Sequence, residues 1–87
     1  MVNREVQITN PVGLHARPAA EFVKAAQKYS SSIVVRYGEK EANAKSILGV
    51  LSLGVKANEH VTLVIDGDDE QVALDVLASS LMGASSL

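Results

Sequence analysis

Apolar residues recur along this chain in two rhythms, and the changes of rhythm mark its elements. From Val2 to Ile8 the period is two: Val2, Val6 and Ile8 point one way and Asn3, Glu5 and Gln7 the other, with Arg4 interrupting the apolar row. That pattern predicts a strand with one wet face. Asn10-Pro11 and Gly13 then punctuate a loop. From Ala16 to about Lys28 the period becomes helical. Ala16, Ala19, Ala20, Phe22, Val23 and Ala26 form a stripe, and Glu21, Lys24 and Lys28 lie outside it. Two starts compete for this helix. Pro18 favours the first helical position, which makes Arg17 the cap. A start at Ala16, capped by His15, is the rival.

Ser30-Ser31-Ser32 connects to a second alternating run, with Ile33, Val35 and Tyr37 set against Val34 and Arg36. Gly38 offers a tight turn into a weak strand around Lys40 to Asn43, whose polarity suits a sheet edge. Ser46 opens a short segment, Ile47 to Leu53, that stops at Gly54; serine before and glycine after are helix punctuation. This segment is apolar all round. A two-turn helix cannot bury every side, so some of Ile47, Leu48 and Leu51 are expected in solvent, as a docking surface. Burial on both sides under a loop is the competing reading. His60 to Asp66 alternates again, with Val61, Leu63 and Ile65 inward. Asp66-Gly67-Asp68-Asp69-Glu70 lacks the spacing and distal glutamate of a calcium loop. It predicts a turn and a helix cap, with acids at the positive helix end. The last helix carries Val72, Ala73, Val76, Leu77 and Leu81 on one stripe and is expected to end at Gly83. The order βαββαβα, with one wet sheet face, implies a two-layer α+β sandwich.

Composition narrows the function. A length of 87 residues predicts one domain, 1–87. Aromatic residues are only 3% against 47% hydrophobic, so the core must be Val, Leu, Ile and Ala. That scarcity, with a net charge of −2, argues against nucleic acid as a partner. The lack of cysteine excludes disulfides and thiolate metal sites and is compatible with a cytoplasmic location. Met1 to Glu5 lacks a signal-peptide run, and no stretch is long enough to insert in a membrane. His60 reads as a solvated strand end. The two histidines have no metal-ligand spacing, and neither a nucleophile elbow nor a Walker glycine run is present. No metal or cofactor is therefore expected, and any phosphate must be delivered by another protein.

The chemistry concentrates in Gly13-Leu14-His15-Ala16-Arg17-Pro18-Ala19-Ala20. His15 sits where the loop turns into the helix. Pro18 has no N–H to lose in the first turn, and the Ala16 and Arg17 amides have no partner inside the helix. Those amides, the helix dipole and the Arg17 guanidinium favour a phosphoryl group there. A histidine that only caps the helix is the alternative. Neutral imidazole is nucleophilic near neutral pH, and a phosphoramidate is labile enough to pass its group on. Phosphoryl transfer asks mainly for positioning and charge stabilisation.

Gly13-Leu14-His15-Ala16-Arg17-Pro18-Ala19 closely resembles the active-site signature of HPr, the histidine-containing phosphocarrier family of the bacterial sugar phosphotransferase system. Lys45-Ser46-Ile47-Leu48-Gly49-Val50-Leu51-Ser52-Leu53-Gly54 resembles the same family's second signature. The resemblance implies an HPr-like open-faced β-sandwich, a four-stranded, mainly antiparallel sheet covered on one face by three helices. It implies that His15 is phosphorylated on Nδ1 by phospho-enzyme I, which draws on phosphoenolpyruvate, and hands the group to enzyme IIA of a sugar permease. Arg17 and the Ala16 amide then hold the transferring phosphoryl. Ser46 matches the site of the ATP-dependent HPr kinase/phosphorylase. Ala16, Ala20, Lys24, Ile47, Leu48 and Leu51 fall where the family docks its partners. Such a chain is a cytoplasmic monomer, a phosphotransfer component with a covalent intermediate rather than a stand-alone enzyme. A second reading is a regulatory binding protein of a nitrogen-type or catabolite-control relay, acting on a kinase or transcription factor without sugar transport.

Overall fold

The protein is seen in a computed structural model, which describes residues 1–82. Its elements run β1 (Val2–Gln7), α1 (Ala16–Ala26), β2 (Ser32–Tyr37), β3 (Lys40–Asn43), α2 (Ile47–Ser52), β4 (His60–Asp66) and α3 (Glu70–Leu81). The βαββαβα order is the expected one. The four strands form one sheet in the order β1-β4-β2-β3, and every pairing is antiparallel. The polar strand β3 lies at an edge, where its unpaired side meets water.

Register explains the layers. Val2 faces Ile65, Val6 faces Val61, and Ile33 and Val35 face Ile65 and Leu63 across the strands. Residues two apart share a face, so these positions make one apolar surface beneath the helices. Asn3, Glu5 and Arg36 stay exposed on the other face. Phe22, Ala19 and Ala26 of α1 and Leu77 and Ala73 of α3 complete the core, all at 0% exposure. Arg4, which breaks the apolar row of β1, lies at the sheet edge and pairs with Asp75 of α3 at 3.4 Å.

Two sequence expectations need correction. The buried face of α3 is Ala73, Leu74, Leu77, Ala78 and Leu81, whereas Val72 and Val76 are exposed. Two adjacent stripes compete on this helix. The one with three leucines wins because α3 packs on β1 and β4 and also against α1, and leucine reaches further into that junction than valine. Asp69, in turn, holds the cap position of α3 but makes no side-chain cap bond to it. Its carboxylate instead accepts from Ser30 N at 2.9 Å, from Ser31 N at 3.0 Å and from the Ser31 hydroxyl. These bonds, that of the Ser31 hydroxyl foremost, hold the Asp69 carboxyl below its ordinary pKa. Gly67 makes the approach possible, since a methyl group there would stand 2.6 Å from Ser31 Cα. The expected stop at Gly83 lies outside the described residues; the C-cap is Met82.

Candidate functional site

The loop before α1 is built to present one side chain. Asn10 folds it back: its side-chain oxygen accepts from Val12 N at 3.1 Å and its carbonyl from Gly13 N at 2.9 Å. Gly13 follows at φ +70° and lies so close to the 55–57 segment that a methyl group would stand 2.6 Å from Val55 O and 2.9 Å from Lys56 Cα. Only glycine fits both constraints. Leu14 then donates its N–H to Val55 O at 3.0 Å and buries its side chain, at 2% exposure. In the extended backbone that follows, the next side chain points outward, and His15 is exposed.

Of the two candidate starts, the helix takes the one at Ala16. His15 occupies the cap position with φ −143° and ψ 156°, yet its side chain makes no capping hydrogen bond. His15 is thus the cap residue by backbone position, while its ring makes no bond to the helix. Ala16 adopts φ +52°, a left-handed conformation that costs an alanine about 1–2 kcal/mol. Neither the Ala16 nor the Arg17 N–H has a partner among the described residues. Arg17 is exposed and forms no ion pair there. An unengaged imidazole, two unsatisfied amides and a free guanidinium thus fall within three consecutive residues. Sequence reasoning found these three but missed the strained Ala16 backbone and the contact of Gly13 with 55–57. The glycine two residues before the histidine was the available signal for the second.

The remaining candidates sort by element. Helix α2 is capped by Ser46, whose hydroxyl accepts from Gly49 N at 3.2 Å. Val50 is fully buried, Leu51 is half-buried, and Ile47 and Leu48 are 37% and 77% exposed. The alternative of a helix covered on both sides is thereby excluded. Ala16, Ala20 and Lys24 are exposed on α1. The two helices pack together. Gln27 donates to Lys45 O at 3.0 Å and Lys45 Nζ to Tyr29 O at 2.7 Å, which ties the start of α2 to the end of α1. The chain leaving α2 reaches Leu14 through Val55. Ser46 and His15 therefore sit at opposite ends of this helix pair. His60 is exposed at the start of β4, and no group of residues that could hold a metal occurs among the described residues. No described helix is long and apolar enough to cross a membrane.

Comparison with known proteins agrees with this geometry. The profile of the family described as "PTS HPr component phosphorylation site" matches residues 2–82. The phosphocarrier protein HPr of Lysinibacillus sphaericus is 43% identical, over 93% of this chain and 92% of that protein. The HPr-like protein Crh of Bacillus subtilis is 44% identical, over 91% and 93%. Among solved structures, HPr from Thermoanaerobacter tengcongensis superposes with a TM-score of 0.95 at 44% identity, covering 100% of this chain and 98% of that one. A crystal structure of Bacillus subtilis Crh, described as a swapping-domain dimer, gives 0.75 at 43% identity and 93% coverage of each chain. With the fold, the exposed histidine and both signatures in agreement, the chain belongs to the HPr family of the phosphotransferase system.

Proposed function

We propose that this protein is a phosphocarrier that takes a phosphoryl group onto His15 from phospho-enzyme I and gives it to an enzyme IIA domain. The observation that carries the reading is an exposed His15, its ring free of any capping bond, beside two amides without partners. A neutral ring nitrogen attacks phosphorus, the bond to the donor breaks, and a phosphorus–nitrogen bond to His15 forms. The Ala16 and Arg17 amides and the Arg17 guanidinium offset the charge on the phosphoryl oxygens as it moves. Transfer to the acceptor reverses the steps. The exposed residues Ala16, Ala20, Lys24, Ile47 and Leu48, with Leu51, form the face on which partners dock. The site of action is the cytoplasm. Incubation with phosphoenolpyruvate and enzyme I yields an acid-labile, base-stable phosphate. His15→Ala folds as wild type and accepts none; acceptance by that variant removes His15 from the mechanism.

A second reading has its own support in the Crh relatives and in the exposed Ser46. Phosphorylation of Ser46 by an HPr kinase/phosphorylase then alters a partner such as a catabolite-control transcription factor. Helix α1 has 11 residues and so spans about 16 Å. Two charges that far apart are largely screened at a Debye length of about 8 Å. Phospho-Ser46 therefore acts on docking rather than directly on His15, by placing about −2 charge beside Ile47 and Leu48. Phosphorylation of Ser46 leaves the thermal midpoint in place and raises the KM for enzyme I; an unchanged KM sinks this route. A monomer is the sequence expectation, and solved dimers of Crh and HPr stand against it. Light scattering at working concentration decides the matter.

A further inference from the structure

Beside His15 the surface forms an open depression of about 350 Å³. His15, Val12 and Leu14 line one side, and Gly54, Val55 and Lys56 the other. Among the described residues of that lining, Lys56 is the only lysine, arginine or acid. We propose that Lys56 is a second cationic contact for the phosphoryl group on His15, reaching it across this depression while Arg17 approaches from the helix. The inference rests on the phosphocarrier reading.

Three observations carry it. The Lys56 backbone is held against the His15 loop, because Gly13 abuts Lys56 Cα and Leu14 N–H is bonded to Val55 O. Its starting point is thus as fixed as that of His15. Its side chain is exposed and makes no ion pair or side-chain hydrogen bond among the described residues, so its ammonium is available. Among the described residues, no carboxylate lines the depression to compete for it. A lysine is a mobile point charge on a four-carbon stem. It can follow the phosphoryl from donor to ring to acceptor, which the amides at the helix mouth cannot do.

The test uses the full chain phosphorylated by enzyme I and phosphoenolpyruvate, followed by ³¹P NMR titration of the phosphohistidine. Removing a nearby cation makes the phosphoryl group hold its second proton more tightly. Lys56→Gln should therefore raise that ionisation by about 0.3–0.7 pH units. It should also slow transfer roughly twofold to fivefold, the range of one exposed ion pair. Lys56→Arg restores both, and the urea midpoint does not move in either variant. An unchanged titration overturns the proposal, including the case in which Lys56→Gln only raises the KM for enzyme I, because Lys56 is then a docking group. Failure of the wild type to take phosphate at all instead refutes the phosphocarrier reading.

Discussion

Single residues decide whether the histidine is presented at all. Gly13 combines a left-handed backbone with a contact that leaves no room for a methyl group. Gly13→Ala should lose about 1–3 kcal/mol from the backbone alone, read as a lower urea midpoint, and slow phosphorylation by displacing His15. Ala16 raises the opposite question, because it keeps a side chain where glycine would relax. Ala16→Gly relieves about 1–2 kcal/mol of left-handed cost but adds roughly 0.4–1 kcal/mol of chain entropy to the unfolded state. Stability should rise by no more than about 1.6 kcal/mol. Transfer should nevertheless slow, since a freer joint lets the two amides lose their fixed direction. Equal or faster transfer in that variant means the strained backbone has no part in the chemistry. His15, Arg17 and Ser46 were legible in the sequence because their chemistry is local: an imidazole, a cation and a hydroxyl at helix starts. The Ala16 conformation was not, because it is imposed from outside, by a loop pinned to residues more than 40 positions away in the chain.

At the scale of elements, periodicity marked five of the seven, while turn and cap residues marked β3 and α2, with the edge strand β3 and the cap of α2 correctly placed. It failed where one helix offers two apolar stripes. Val72 and Val76 continue a plausible face of α3, and only the junction with α1, β1 and β4 selects Leu74 and Ala78 instead. The difference can be measured. Leu74→Ala, at a 3% exposed position, should cost about 2–5 kcal/mol. Val76→Ala, at 44% exposure, should stay within about 0.5 kcal/mol of wild type. Equal losses at the two positions would restore the stripe read from the sequence. The α1–α2 pair shows why a short apolar helix betrays its exposed face: Val50 takes the only buried side, and Ile47 and Leu48 are left outside.

Across the whole molecule, one long-range connection between loops is made by Asp69. It joins the start of α3 to the Ser30-Ser31 turn that follows α1, so one carboxylate fastens two of the three helices. The sequence could not announce this, since the same acidic run also fits a helix cap. A carboxyl held below its ordinary pKa in the fold stabilises it fully above the ordinary value of about 3.9, and that contribution is lost as pH falls through the folded value. The urea midpoint should therefore drop below about pH 4, and Asp69→Asn should lower the neutral-pH midpoint while flattening that acid limb. An acid limb as steep in Asp69→Asn as in wild type assigns the acid sensitivity to other groups. The sheet, finally, turns one broad side to water while every helix sits on the other. Because the chain has no cysteine, a thiol introduced at Glu41, on the outer edge strand, would be its sole reactive sulfur. A dye or a sensor chip could be attached there, leaving both helix ends open to visiting proteins.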